Sequence, residues 1–315
     1  EEAQEEVARI GEAGPNGRAS PSVLDLLAST RMAAKKKAKK KPRQASGTER
    51  AEPADAANAE VVPAELSRAP RPERALAPLP PLPAPAEGTV LWDALAIMSS
   101  TTGIPLADFE EAAANPQAFG LPAEAPSLEG YLFPATYDLD GSETASGLIQ
   151  RLVDETISRL DAAGVAPEDR FRVLTLASVV QREMGPIEGD AAKIARVFLN
   201  RLDQGMNLES DATVAYGTGN LHTVQTSQEE RDDASNPYNT YANPGLPIGP
   251  VGAVGEVAID AVLHPADGPW LFFVTIDLDT GETMFSETIE EHEQWVDVLW
   301  NQWCEASDEN AARCS

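Results

Sequence analysis

The chain has 315 residues, with 24 Lys and Arg against 51 Asp and Glu, a formal net charge of -27 and two cysteines. That length fits one or two domains, and a carboxylate excess of this size argues against general nucleic-acid binding, where phosphates are met by Lys and Arg. The charge is unevenly placed: residues 1–87 hold 14 basic and 13 acidic side chains, whereas residues 88–315 hold 10 and 38, with Lys193 their only lysine.

Residues 1–87 contain no aromatic side chain but 12 of the 25 prolines, several in the run Pro78 to Pro85. Fixed φ angles and missing N–H groups make that run an extended spacer, and a stretch so poor in large apolar groups cannot offset its ordering entropy. Residues 1–87 are therefore expected to form a largely disordered tail or linker, with one short helix near residues 23–32. The basic block Lys35 to Lys41, with Arg43, reads either as a solvated charge run or as a patch for anionic lipid headgroups, acidic wall polymers or nucleic acid. No stretch reaches the ~18 apolar residues that span a bilayer, and no signal peptide is recognisable. The chain starts at Glu1 rather than Met, which leaves room for an upstream anchor or signal.

All 18 aromatic residues lie from Trp92 onward, and there the pattern becomes periodic. Trp92, Leu95, Ala96 and Met98 mark a short helix, Gly103 to Pro105 a loop, and residues 106–114 a second helix with Asp108 and Glu110 in its first turns. Ile149, Leu152, Val153, Ile157 and Leu160 share one helical face, with Gly164 as the stop and Pro167 as the next start. Residues 171–184 read as a helix, and Ile194, Val197, Phe198 and Leu202 form a further apolar stripe that ends before Gly205. A helix over residues 256–263 is closed by His264 and Pro265. Residues 270–276 and 282–285 predict two strands, and Thr288 with Glu291 matches a capping box for a last helix through Val296 and Leu299. Helices with a hairpin, and no regular β-α alternation, predict an α+β fold that is mainly helical.

Within residues 171–184, a wheel at about 100° per residue puts Glu183 between Leu176 and Val179, inside the apolar arc, with Arg182 facing away. A carboxyl against apolar walls has its charged form disfavoured, and a protonated acid near neutral pH serves as a general acid. The alternative is a structural ion pair with Arg196 or Arg201. His222, His264 and His292 have no zinc-site spacing, so no metal or other cofactor is expected. Cys304 and Cys314 bracket a terminal loop that a disulfide would close. The chain has no G-x-S-x-G elbow, phosphate loop or dinucleotide fingerprint.

Around Glu183 several motifs occur in order: Leu128 to Tyr137 (LEGYLFPATY), Leu176 to Glu183 (LASVVQRE), Val197 to Leu202 with Gly205 and Met206, Leu208 to Val214 (LESDATV) with Tyr216 and Gly217, Asn236 to Tyr241 (NPYNTY), Gly245 to Pro250, His264 with Pro265, Phe272 to Val274, and Glu291 with His292. From about Glu87 to Trp300 the chain resembles the endolytic murein transglycosylase family (MltG, YceG-like).

The resemblance implies cleavage of the β-1,4 bond between N-acetylmuramic acid and N-acetylglucosamine in nascent peptidoglycan strands, leaving 1,6-anhydro ends. Glu183 matches the family's catalytic acid. The readings from other classes are a non-catalytic glycan-binding scaffold and a hydrolytic muramidase. As further site residues, Asn200 and Asp211 either orient Glu183 and bind sugar amides or serve as scaffold, Asp211 then pairing with Arg201. Asn239 and Tyr241 line a glycan groove or pack their loop, and Glu129, with Gly130 and Tyr131, joins the groove wall or an interdomain contact.

The implied domains are a tail at 1–87, a partial LysM-like segment at 88–126, the catalytic domain at 127–303 and a C-terminal tail at 304–315. The implied partners are glycan strands and cell-wall synthases, with membrane contact through an upstream anchor or the basic tail, at the extracytoplasmic face of the bacterial cell membrane. Departures from the family pattern are Gln181, Glu209, Ile248 and the turn Ala253 to Gly255, and the upstream half of a LysM-like domain is not recognisable.

Overall fold

The computed structural model describes residues 82, 85–221 and 226–314. The short helix expected near 23–32, the basic block at Lys35 to Lys41 and His222 lie outside the described residues. Two helices come first, α1 (Leu91–Thr102) and α2 (Leu106–Ala113), separated by Gly103, whose φ of 76° suits a left-handed cap. Thr144 accepts a hydrogen bond from Gly147 N and starts α3 (Ala145–Ala162). Its stripe Leu148, Ile149, Leu152 and Leu160 is fully buried, and Val165 N–H closes the end on Leu160 O.

Helix α4 (Arg170–Glu183) begins three residues after Pro167, because residues 167–169 form a turn closed by Asp169 N–H on Ala166 O. Residues 173–181 of α4 are all buried, so it is the central helix. Helices α5 (Asp190–Gln204) and α8 (Glu256–Leu263) pack against it and against each other. Between them come two short helices that periodicity does not reveal, α6 (Asp211–Thr218) and α7 (Gln228–Asp232), the latter started by a reciprocal Ser227–Glu230 capping box.

The strands pair as an antiparallel hairpin, β1 (Phe272–Asp277) with β2 (Glu282–Ser286), with Phe273 opposite Phe285 and a bulge between Thr275 and Asp277. Helix α9 (Ile289–Val298) follows. Thr288 accepts from Glu291 N–H as expected, but the Glu291 carboxylate receives Glu287 N–H, one residue earlier than a capping box requires. A π turn (Leu299–Trp303) leads to α10 (Asp308–Cys314), which a Cys304–Cys314 disulfide ties back. The described residues are thus mainly helical with one small two-stranded sheet. None of their helices is long and apolar enough to cross a membrane.

Two expectations are corrected at the N-terminal edge. Leu82 and Glu87 were placed in the loose tail, yet Leu82 is fully buried and pairs with Tyr137 through Leu82 N–H to Tyr137 O at 2.9 Å. Gly88 N–H donates to Ala253 O, Ala253 N–H to Thr89 O, and Gln181 bridges the Glu87 carboxylate and Gly255 N–H. This strap lies over the face of α4 that the wheel leaves polar. For that reason Arg182 does not face open solvent: it is half-buried and donates to Gly88 O.

Candidate active site

Glu183 closes α4 at the wall of a cavity of about 430 Å³. The hairpin and α9 line the same cavity, contributing Phe272, Val274, His292 and, just beyond, Trp300. A more open trough of about 710 Å³ lies between α2 and the start of α3. Its carboxylates, Asp108 and Glu111, are exposed and so keep their hydration, and the chemistry points to the smaller, aromatic cavity.

The orientation of Glu183 comes from α6. Ser210 occupies the N-cap of that helix, where a Ser hydroxyl ordinarily receives a first-turn N–H. Here the Ser210 hydroxyl instead donates to Glu183 Oε1 at 2.5 Å, and Ala212 N–H reaches the same carboxyl. The acid therefore takes the place of the missing cap, facing the positive end of α6. Thr240 fixes Ser210 in turn by accepting its N–H at 3.1 Å. The residue before it, Glu209, has a φ of 54°, the only positive φ of a non-glycine among the described residues. Strained backbone of this kind clusters at functional sites.

Burial pushes the Glu183 carboxyl above the ordinary range, helped by the charge of Asp211. The Ser210 hydroxyl, Arg182 and Ala212 N–H oppose that shift without cancelling it. Glu183 keeps part of its surface accessible to the cavity while its carboxyl is densely surrounded by protein. The charged form thus loses hydration and the acid stays reachable.

Neither arginine proposed as a structural partner pairs with Glu183. Arg196 donates to Ala266 O; Arg201 donates to Leu271 O, Asn207 O and Leu208 O, pairs with Glu209 at 2.9 Å and lies 5.0 Å from the Phe272 ring centroid. Nor does Asp211 pair with Arg201. It lines the cavity held by Arg231 at 3.0 Å and by the Thr226 hydroxyl. The pairing across twenty residues, brought about by the turn of α7, has no trace in local spacing.

The other expected site residues separate into two groups. Tyr241 lines the cavity, with the Arg231 guanidinium 4.9 Å from its ring centroid. Asn200 and Asn239 are absent from the lining. The Asn200 amide donates to Gly268 O and Trp270 O, tying α5 to the start of the hairpin. Asn239 is fully buried: its amide N–H groups meet Glu230 O, Arg231 O and Asp233 O, and its Oδ1 receives Tyr241 N–H and Ala242 N–H. It ties one loop together, with its hydrogen bonds made inside the protein.

Glu129 lies outside the cavity at the start of α1, accepting Leu91 N–H at 2.8 Å and the Tyr216 hydroxyl at 2.9 Å. It thereby links the start of α1 to α6. Burial raises its carboxyl to about 7 against those hydrogen bonds. Ser210 and His292 line the cavity although no periodicity singles them out. The available signal was their place inside the ordered motifs LESDATV and Glu291 with His292.

A model of the YceG-like family matches residues 27–298. Over 170 residues the chain is 34% identical to the endolytic murein transglycosylase of Bacillus subtilis (strain 168), covering 52% of this chain and 46% of that one. Over 103 residues it is 38% identical to the endolytic murein transglycosylase of Streptococcus pneumoniae serotype 2 (strain D39), covering 30% and 18%. The chain thus spans under half the length of these curated relatives. The crystal structure of a yceG-like protein from Listeria monocytogenes superposes with a TM-score of 0.59 at 29% identity, over 70% of this chain and 76% of that one.

Proposed function

The chain belongs to the YceG-like family, and from that premise we propose that it is a lytic transglycosylase cutting peptidoglycan strands internally, at the β-1,4 bond between N-acetylmuramic acid and N-acetylglucosamine. The observation that carries this reading is Glu183: a buried acid with a raised pKa, aimed by Ser210 and Ala212 N–H at an aromatic-walled cavity.

Protonated Glu183 donates to the glycosidic oxygen, and the leaving sugar departs through an oxocarbenium-like state. Glu183, now a carboxylate stabilised by the Ser210 hydroxyl and Ala212 N–H, accepts the proton of the muramyl C6 hydroxyl as that oxygen attacks C1. A 1,6-anhydro ring results. No second carboxylate is needed as nucleophile, which agrees with Asp211 being engaged by Arg231 and Thr226. Phe272, Val274 and Trp300 give the cavity an apolar wall, and displacing water from it on sugar binding would favour the intramolecular hydroxyl.

Residues 88–126 are read as part of a LysM-like segment, and the site of action as the extracytoplasmic face of the cell membrane, beside cell-wall synthases. The test is digestion of uncross-linked glycan strands followed by mass spectrometry. Anhydro ends are expected; ends carrying added water would make the enzyme a muramidase, and intact strands a binding protein.

A further inference from the structure

The imidazole of His292 lies in the same cavity as Glu183, carried there by α9. Several groups that line the cavity with it already have partners: Ser210 donates to Glu183, Asp211 is held by Arg231 and Thr226, and Glu209 by Arg201. His292 differs. Its Nδ1 is buried without a hydrogen bond, and Nε2 is neither bonded nor enclosed, so that edge is open to the cavity. The ring is stacked on Phe272 at 5.4 Å and 25°, which restricts its rotation.

Burial and the charge of Arg201 hold the imidazole below its usual pKa, Glu293 acting the other way, so it is neutral. A neutral imidazole carries one N–H. Enclosing that N–H without an acceptor is less tolerable than enclosing a lone pair, which places the proton on Nε2, at the open edge. An unshared donor stacked on an aromatic ring, in the same cavity as the acid, is what a polar ligand with apolar faces requires.

We infer that His292 is a substrate-contacting residue, donating its Nε2–H to an oxygen of the N-acetylated sugar seated beside Glu183, while Phe272 and Trp300 pack on the C–H face of the ring. This rests on the glycan reading above.

Strand binding is measured first on Glu183→Gln protein, whose cleavage is expected to be at least about 100-fold slower. Adding His292→Phe keeps a stacked ring and deletes the N–H; Kd is expected to rise about 5–10-fold, as for one lost neutral hydrogen bond, at an unchanged melting temperature. His292→Gln returns an N–H near the position of Nε2 and should recover most of that loss. In the otherwise wild-type enzyme, His292→Phe should raise KM by a similar factor with kcat within about twofold. Equal Kd with and without His292→Phe, equal losses for Phe and Gln, or no strand binding by Glu183→Gln protein would each overturn the inference. Failure of the transglycosylase reading shows separately, as wild-type products that lack anhydro ends while the Kd comparison still stands.

Discussion

Exchanging Glu129 for Gln keeps an oxygen within reach of Leu91 N–H and the Tyr216 hydroxyl and removes only the ionisation. The folded carboxyl titrates at about 7 against an ordinary 4.5, so between those values the fold holds the proton more tightly than the unfolded chain does. Its contribution to stability is therefore complete below about pH 4.5 and is lost as pH rises through 7. At 1.36 kcal/mol per unit, the whole span is about 3 kcal/mol, most of which falls between pH 5 and pH 8. Glu129 is 2% exposed, so solvent screening takes little away. Thermal unfolding of both proteins at the two pH values is the assay. All other carboxylates cancel in the difference, and Tm of Glu129→Gln relative to wild type should rise by about 5–10 °C on going from pH 5 to pH 8. Parallel Tm curves for the two proteins would refute the reasoning.

Glu183→Gln should lower strand cleavage at least about 100-fold, the usual contribution of a general acid, with its melting curve retained; activity near wild type would move the acid elsewhere. Ser210→Ala removes the donor that favours ionised Glu183, so the alkaline limb of the pH-rate profile, where the required proton is lost, should move to higher pH. An unmoved limb would mean that Ser210 does not act on the acid. Gly217→Ala would bring a methyl within 2.0 Å of Asn236 Oδ1, and overpacking of this kind costs about 1–3 kcal/mol, to be read as a lower Tm. Reducing Cys304–Cys314 should speed amide exchange in α10 and leave α4 protected; loss of protection in α4 as well would show that the terminal loop supports the core.

Much of this was legible from one-dimensional pattern. The stripes of α3 and α5, and Glu183 within an apolar arc, follow from a period of 3.6 because each helix presents one face to a neighbour, and the hairpin follows from two runs rich in aromatic and β-branched residues around a polar turn. What pattern missed depends on partners distant in sequence. The wheel left Arg182 facing outward because it knew nothing of the strap from Glu87 to Val90. Helix α6 has no apolar stripe to betray it, yet it supplies the Ser210 hydroxyl. Asn239 sits in an aromatic, turn-rich motif that reads equally as groove or as knot, and its five backbone partners make it the knot. Aromatic content alone could not separate Tyr241, which lines the cavity, from its neighbour two residues earlier.

The manner in which Glu183 is held bears on where such an enzyme can work. Residues 88–315 carry a net -28, and a field of that size expands and contracts with the Debye length, from ~30 Å at 0.01 M salt to ~8 Å at 0.15 M. An acid steered by an arginine across open water would be detuned by every such change. Glu183 is steered by a hydroxyl and a peptide N–H in direct contact, neither of which dissociates or attracts a mobile counterion. Its aim is thereby insulated from fluctuations in the surrounding medium, and the acidic exterior is free to vary without turning the carboxyl out of place.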